Sequence, residues 1–279
     1  MSVGSEHDIL KLRLLLSFLK VEELPHTVGN LAKTLGATKQ RVSRILMELE
    51  AEGLVDRSNP RAPELTKKGF EAAERFAERT EIAMNHLLFE GVSLEKAQQD
   101  AYLWAIYNTD ETMDVIKSAA ARCKAKYLLR DQPTFSGNVL CKALGDGVYH
   151  FNFVIYREHV RGGSNLSMAN HGFTHPGILS VKNGQGSIHL HVVPIRAVSP
   201  VDGSPISGKV TGLKYFDSGE FISAELVGDA VTFPVSALNF VNIGENINQM
   251  LHGSVCLKMR CSVKEACMPE SVAIFTMLL

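Results

Sequence analysis

Long apolar runs are missing from this sequence of 279 residues. No window approaches the roughly 18 uninterrupted apolar residues that a membrane-spanning helix needs. The apolar N-terminal stretch is interrupted by His7, Asp8, Lys11 and Arg13, and no small-residue cleavage site follows it. We therefore expect a cytoplasmic protein with no membrane partner.

Cysteine pairs and catalytic motifs are missing too. The five cysteines form no CxxC pair, and their odd number argues against a closed disulfide framework. No GxSxG elbow, HExxH helix, GxGxxG turn or GK[ST] loop occurs. The sequence therefore predicts that the protein is not an enzyme. Catalysis by Cys141, Asp146 and His150, which are close only in sequence, is the alternative.

The sequence also lacks an excess of charge of either sign. A formal net charge of -1 creates no overall field that would attract a polyanion. Any affinity for nucleic acid must therefore come from a local basic patch. With 45% hydrophobic and 21% charged residues, the composition is that of an ordinary folded protein, which excludes extended disorder.

What is present divides the chain near residue 130. Before it, apolar residues repeat with the helical period; beyond it, Gly, Asn, Ser and Pro are frequent and residues alternate as in strands. We expect an α+β protein with a winged helix-turn-helix domain at 1–66, a helical dimerisation region at 67–128 and a mainly β domain at 129–279. The predicted helices are Asp8–Lys20, Val28–Leu35, Thr38–Glu52, Lys67–Phe89, Leu94–Tyr107 and Asp110–Lys124.

The C-terminal part is predicted to contain strands and is compatible with an internal duplication. The predicted strands are Val148–Arg157, Gly186–Ile195, Glu220–Val227, 230–235 and Gly253–Val263. Segments 136–155, 167–177 and 186–193 can be aligned with 207–227, 236–246 and 253–260. A duplicated unit is therefore an alternative to a single β domain.

The stretch TKQRVSRILMELEAEGLV, from Thr38 to Val55, carries the clearest functional pattern. Its apolar residues fall on one stripe of a helix, and Gly36 and Ala37 form a tight turn after the preceding helix. This spacing is typical of a helix-turn-helix, whose second helix enters the DNA major groove with its N-terminal end. The residues expected to contact DNA are Thr38, Lys39, Gln40, Arg41, Ser43 and Arg44.

A hairpin around SNPRAP follows this helix and is predicted to form a wing. Arg57 and Arg61 of the wing are expected near the DNA backbone or minor groove. Between Lys33 and Lys68 there are eight lysines and arginines against five acidic residues, so the patch is mildly basic. A winged helix that serves as a protein-interaction scaffold is the structural alternative.

Residues from about 9 to 120 resemble the diphtheria-toxin-repressor family of metal-dependent transcriptional regulators. The resemblance rests on VGNLAKTLGATKQRVSRILMELEAEGLV, ELTKKGFEAAERFAERTEIAMNHLL and GVSLEKAQQDAYLWAIYNTDETMDVI. It implies a homodimer formed by the helices of 67–107, with two recognition helices on a near-palindromic double-stranded operator.

The metal ligands of that family are not matched in this sequence. The corresponding positions are occupied by Thr80, Met84, Tyr102, Ala105 and Ile106. These side chains cannot replace the histidine and carboxylate ligands of a divalent transition metal. We therefore expect that no cofactor is required and that the dimer helices pack without an ion. A shifted alignment would make Glu81, His86 or Glu90 the ligands instead.

The β domain is the expected sensor of an unknown small-molecule or protein effector. Arg157 and Arg161 are candidates to bind an anionic ligand. Histidines two apart share a strand face and suit a transition metal such as Zn, Fe or Mn. The candidate metal ligands are His171, His175, His189 and His191.

Together these patterns predict a dimeric, DNA-binding transcriptional regulator of the repressor type with a ligand-sensing β domain. A regulator that responds to metal through the C-terminal histidines is the alternative within the same class.

Overall fold

The computed structural model describes residues 3–20, 25–159, 164–198, 205–244, 249–263, 266–267 and 270–279. The chain divides into two compact units: residues 1–120, the helical unit, and residues 121–279, the β unit. Within the described ranges, no helix combines the length and the apolar character that crossing a membrane requires.

The helical unit consists of helices and one small hairpin. Its elements are α1 (Val3–Ser17), α2 (Val28–Leu35), α3 (Lys39–Ala51), β1 (Val55–Asp56), β2 (Glu64–Leu65), α4 (Lys67–Phe89), α5 (Leu94–Tyr107) and α6 (Asp110–Leu129), which runs past the boundary of the unit. The predicted bounds of α2, α4 and α5 are confirmed, and α3 is one residue shorter at each end. The predicted helix Asp8–Lys20 was placed too far toward the C-terminus, because α1 begins at Val3 and ends at Ser17.

Two apolar clusters stabilise this unit. The first joins α1, α2 and α3 with the start of α4, and Leu14, Ile45 and Leu46 are fully buried in it. The second joins α4, α5 and α6, where Ala83 and Ala97 are fully buried. Small side chains at these contact positions let the helix axes approach closely.

Arg79 ties α4 to the turn between α5 and α6. Its Nε donates to the carbonyl of Ala105 at 2.8 Å. Its other guanidinium nitrogens donate to the Asn108 carbonyl and the Asp110 carboxylate. A buried cation is tolerated when its donors are satisfied in this way, so Arg79 fixes the three helices to one another.

The β unit is a mainly antiparallel sheet accompanied by α7 and the end of α6. Its elements are β3 (Thr134–Ser136), α7 (Gly137–Leu144), β4 (Gly147–Arg157), β5 (Gly177–Lys182), β6 (Gln185–His191), β7 (Ile195–Val198), β8 (Pro205–Asp217), β9 (Glu220–Ser223), β10 (Glu225–Val227), β11 (Ala230–Pro234), β12 (Asn239–Ile243), β13 (Met250–Val263), β14 (Ala266–Cys267) and β15 (Ser271–Leu278). The strand order is β10-β11-β6-β5-β4-β15-β13-β12-β3. In addition, β8 pairs with β7, β9 and β13, and β14 pairs with β13.

Alternating burial along the strands builds an aromatic core. In β4, Tyr149, Phe151 and Phe153 are buried while the residues between them are more exposed, as the two-residue period of a strand requires. The ring of Phe275 in β15 lies with its centroid 5.5 Å from that of Phe153 and 5.7 Å from that of Phe233. These contacts join strands that are far apart in sequence.

Several predictions for the β unit were wrong in extent. The predicted strand Glu220–Val227 is interrupted at Ala224, and the predicted strand Gly186–Ile195 ends at His191. The sequence pattern also does not predict α7 or the strands β3, β5, β8, β12 and β15.

The duplication stays a prediction. In its first aligned pair, segment 136–155 contains the helix α7 and the strand β4, whereas segment 207–227 contains strands only. In the third pair, segment 253–260 lies in β13, and β6 covers 186–191 of segment 186–193.

Candidate nucleic-acid interface

The turn between α2 and α3 is fixed by caps on both helices. Gly36 ends α2 with φ of +65°, and its N–H donates to the carbonyls of Ala32 and Lys33. Glycine adopts this left-handed conformation without steric cost. Thr38 then caps α3, because its hydroxyl accepts the N–H of Arg41 at 3.3 Å. One helix therefore ends and the next begins within three residues.

The orientation of α3 follows from its buried stripe. Val42, Ile45 and Leu46 are 0% exposed and pack in the cluster with α1 and α2. Burial of this stripe leaves the opposite side of α3 outside the core. Thr38, Lys39, Gln40, Arg41 and Arg44 are exposed, and Ser43 is half-buried.

The N-terminal end of α3 carries positive charge without counter-charge. Among the described residues, Lys39, Arg41 and Arg44 form no ion pair. The positive end of the helix dipole lies at the same place and favours an anion. This end of the helix is therefore suited to contact phosphates.

The acidic end of α3 is occupied by contacts within the helical unit. Each of the three glutamates at this end, the last of which is the C-cap, contacts a histidine, arginine or lysine side chain, and two of these partners lie on α1. The pairs are Glu48 with His7 at 2.9 Å, Glu50 with Arg57 at 3.5 Å, and Glu52 with Lys11. The division of charge along α3 thus separates groups used inside the unit from groups that are available to a partner.

The wing has one exposed arginine and one that is mostly buried. Its tip is shaped by side-chain contacts to the backbone: Asp56 accepts the N–H of Ser58 at 2.8 Å, and Asn59 accepts that of Arg61 at 3.1 Å. The bond from Ser58 lowers the pKa of Asp56. Arg61 is exposed, as a contact to DNA requires.

Arg57 was expected near DNA on an exposed wing, but the structure places its side chain against α3. Its side chain is only 15% exposed and pairs with Glu50 of α3. Arg57 therefore positions the wing against α3, whereas Arg61 is accessible.

Arg41 and Arg44 differ in their surroundings. Thr38 and Arg41 also line a cleft between α1, the turn before α3, and α5, whereas Arg44 does not. A substitution of Arg44 is therefore the cleaner test of a DNA contact.

Three of the four candidate histidine ligands in the β unit have separate contacts. His189 Nδ1 lies 3.1 Å from the Thr232 hydroxyl, and His191 Nδ1 lies 3.6 Å from Asp229. His175 stacks on Phe153 with ring centroids 4.0 Å apart. Partial burial, with His191 nearby, lowers the pKa of His189.

His171 is exposed on the short 3₁₀ turn Met168–Gly172. No group of three or more His, Cys, Asp or Glu that could hold a metal ion occurs in the part of the chain that the structure describes.

The predicted anion pair of the β unit lies partly outside the described residues. Arg157 is exposed at the end of β4, and Arg161 lies outside the described residues. The structure therefore gives no geometry for this pair.

The ligand positions implied by the resemblance do not form a suitable donor set. The Thr80 hydroxyl donates to the Phe76 carbonyl at 2.7 Å, and Met84 packs against the cluster of α4 and α5. Ala105 is fully buried and carries no donor atom in its side chain. His86, an alternative ligand, has its ring centroid 5.9 Å from that of Trp104. Thr80, Met84 and Ala105 therefore do not offer the imidazole and carboxylate donors of the family's metal sites.

Sequence reasoning missed the residues that hold the glutamates of α3. His7 and Lys11 lie 41 residues before their partners Glu48 and Glu52. No local pattern connects positions so far apart. The only available signal was the unexplained excess of glutamate at that end of the helix.

Comparison with known proteins finds similarity to regulators over part of the helical unit. Residues 11–62 match the model of the MarR family, a segment that contains α2, α3, β1 and the tip of the wing but not β2. The chain is 32% identical over 97 residues to the transcriptional regulator MntR of two Escherichia coli strains, CFT073 and O157:H7. That alignment covers 35% of this chain and 63% of each relative.

Two solved structures illustrate how far the structural likeness extends. The manganese regulator SloR aligns over 80% of this chain and 98% of its own, with 12% identity and a TM-score of 0.35. The heme-bound NEAT5 domain of the hemophore IsdX2 from B. anthracis aligns over 48% of this chain and 96% of its own, with 14% identity and a TM-score of 0.30. Neither likeness is close enough to bear on function.

Proposed function

We propose that the chain is a dimeric winged-helix transcriptional regulator, similar to the diphtheria-toxin-repressor family in its helical unit, that binds a double-stranded operator and senses an effector through its β unit. The match of residues 11–62 to the MarR family and the similarity to MntR support the assignment to transcriptional regulators. A regulator of this kind is not an enzyme.

One observation carries the proposal: the acidic side chains of α3 have partners within the helical unit, whereas its basic side chains at the other end are exposed. Its glutamates are paired within the unit, whereas Lys39, Arg41 and Arg44 are exposed and form no ion pair among the described residues. A helix used only as an internal scaffold has no need of uncompensated cations at one end. A helix that enters the major groove does, because phosphates flank its N-terminal residues.

A mobility-shift titration tests this proposal. The DNA is a fragment from the neighbourhood of the protein's own gene, and the variant is Arg44→Ala. We expect the variant to bind more weakly by about 1–3 kcal/mol if Arg44 contacts a base.

The control for that titration is Arg75→Ala. Arg75 is an exposed arginine on α4, outside α2, α3 and the wing. Equal affinities of the wild type and both variants would remove Arg44 from the interface. Failure of the wild type to retard DNA would favour the interaction scaffold.

We propose that the dimer forms through the α4–α5 region. Leu88 and Leu94, on either side of the turn between these helices, are exposed, and Leu94 is 66% exposed. Apolar side chains exposed close together often mark an interface. Arg79 already holds α4, α5 and α6 together by hydrogen bonds, so no ion is needed to order this surface.

Sedimentation with and without a chelator tests this part of the proposal. We expect the dimer and its affinity for DNA to be unchanged by the chelator. Leu94→Glu should yield monomers, whereas Val227→Glu, at an equally exposed valine of β10, should leave the dimer intact. Monomers after chelator treatment would restore a metal site, and metal analysis of the same sample would show whether Zn, Fe or Mn is the ion.

A further inference from the structure

Two lysines face each other across neighbouring strands of the β unit. Lys214 of β8 and Lys258 of β13 are direct antiparallel partners. Side chains at such positions have Cβ atoms roughly 4.5–5.5 Å apart, and like charges directly opposite one another are destabilising. Arg260, two residues beyond Lys258 on β13, lies on the same face and adds a third cation.

Glu270 is the acid that these cations share. Its Oε1 accepts from Lys214 Nζ at 2.9 Å and from Arg260 at 3.2 Å. The hydrogen bond from Lys214 is the main cause that lowers the pKa of Glu270, which keeps its carboxylate ionised. Both cations therefore rely on one carboxylate oxygen.

Lys258 forms no ion pair within the described ranges. Its Nζ lies 4.2 Å from the centroid of the Phe221 ring, which is a weaker contact than an ion pair with a carboxylate. Three cations thus face one carboxylate, and two positive charges remain without a counter-charge among the lining residues.

A local irregularity of the sheet creates a cavity beside these cations. The register of β8 against β13 shifts between Arg260 and Cys261, and Thr211 is left without a strand partner. Gly212, opposite Arg260, has no side chain to fill the space: an added Cβ would have only Arg260 Cβ within 4 Å, at 3.9 Å. Ser223, on the other side of Lys214, lines the cavity with a hydroxyl.

The cavity measures about 230 Å³ and is lined by all four charged residues. This volume lies below the roughly 300–1,000 Å³ of sites that enclose drug-sized ligands. A ligand here must therefore be small, and the two uncompensated charges favour a doubly negative anion.

We propose that this cavity is a binding site for a small phosphate-type anion, held by Lys214, Lys258 and Arg260. Lysine and arginine are the side chains that bind phosphate oxygens, and the Ser223 hydroxyl can donate to a further oxygen. The anion supplies the charge that Glu270 alone does not, which explains why two lysines are placed opposite each other. That this anion acts as the effector rests on the proposed function, whereas the binding site itself does not.

Thermal unfolding of the full chain in phosphate and in chloride at equal ionic strength tests the site. Phosphate should raise the unfolding midpoint of the wild type, because a ligand that binds only the folded state stabilises it. In Lys258→Gln this rise should disappear, and titration calorimetry should show at least a tenfold weaker affinity for inorganic phosphate.

A second readout separates a binding site from a structural charge cluster. Without phosphate, Lys258→Gln should unfold at a temperature equal to or higher than the wild type, because one unpaired charge is removed. The control Lys182→Gln, at an exposed lysine of β5, should behave as the wild type in every buffer. No difference between phosphate and chloride for the wild type, or equal responses of both variants, would overturn the proposal.

Two further arms identify the ligand and its role. Tighter binding of glycerol phosphate than of inorganic phosphate assigns a phosphorylated metabolite, and the reverse order assigns the free ion. A change in DNA affinity on adding phosphate that is absent in Lys258→Gln supports the effector role, and an unchanged affinity overturns that role alone. If the wild type binds phosphate but not DNA, the proposed regulator is refuted, whereas the proposed anion site is supported.

Discussion

The two basic surfaces of the molecule differ in shape and in counter-charge. At the N-terminal end of α3, the cations are exposed on a helix and have no acidic partner in the described part of the chain. In the cavity of the β unit, Lys214 and Arg260 share the carboxylate of Glu270. The same residue types therefore suit different partners: an exposed, uncompensated surface suits a long polyanion, and a recessed one with a carboxylate suits a small anion.

The difference also predicts different responses to salt. Binding of DNA releases counterions in proportion to the phosphates contacted, so its affinity falls steeply with salt. A small anion displaces few counterions, so its affinity should vary less. Substitutions in each core test whether the two surfaces belong to separately stabilised units.

The largest expected effect comes from creating a cavity in the apolar core of each unit in turn. Leu46 and Leu257 are both 0% exposed, one in each unit. Leu46→Ala should lower the free energy of unfolding of the helical unit by about 2–5 kcal/mol and weaken DNA binding, while phosphate binding persists. Leu257→Ala should lower the free energy of unfolding of the β unit and weaken phosphate binding, while DNA binding persists.

Tryptophan fluorescence distinguishes these outcomes, because Trp104 is the single tryptophan and lies in the helical unit. Leu46→Ala should move the fluorescence transition in denaturant, whereas Leu257→Ala should move mainly the circular dichroism of the strands. Equal displacement of the fluorescence transition by both variants would show that the two surfaces share one cooperative unit.

A smaller effect is expected at the cap of α3. Thr38→Ala removes the hydroxyl that accepts the Arg41 N–H and should cost about 0.5–2 kcal/mol of stability, measured by denaturant unfolding. Ser93 is the matched control, because it occupies the N-cap of α5 without a side-chain cap bond. Ser93→Ala should therefore be nearly neutral, and an equal loss in both variants would argue against the capping role of Thr38.

The smallest effect concerns pH. Partial burial, with His191 nearby, lowers the pKa of His189 in the folded state, so the unfolded chain binds its proton at higher pH. Stability from neutral His189 is therefore complete above the unfolded value of about 6.5 and is lost as pH falls through the folded pKa. His189→Gln should unfold with a weaker pH dependence below about 6.5, measured by circular dichroism. If the pH dependence of stability is unchanged in this variant, it arises from other titratable groups.

The helical unit could be predicted largely from its sequence, and the β unit only in part, through strands such as β4, β11 and β13. The bounds of α2, α4 and α5 follow from apolar residues three and four apart, because a helix is stabilised by neighbours in sequence. Strands such as β8 and β15 depend on partners elsewhere in the chain. Their burial is set by that pairing, which a single sequence does not reveal.

The candidate sites show the same limit. The exposed end of α3 could be located from one helical stripe and its cap at Thr38. The partners of its glutamates, two on α1 and one on the wing, could not be located in this way. Neither could the opposition of Lys214 and Lys258, which are 44 positions apart. Local chemistry is visible in a sequence, whereas the pairing of distant charges requires the fold.

The salt dependence of DNA affinity tests the central claim most directly. The wild type and the double variant Lys39→Ala/Arg44→Ala are titrated with the same operator fragment over a range of salt concentrations. If both side chains hold phosphates, the double variant should bind more weakly and its logarithmic salt slope should be smaller by about 2. Superimposable lines for the two proteins would contradict the claim that this end of α3 contacts DNA.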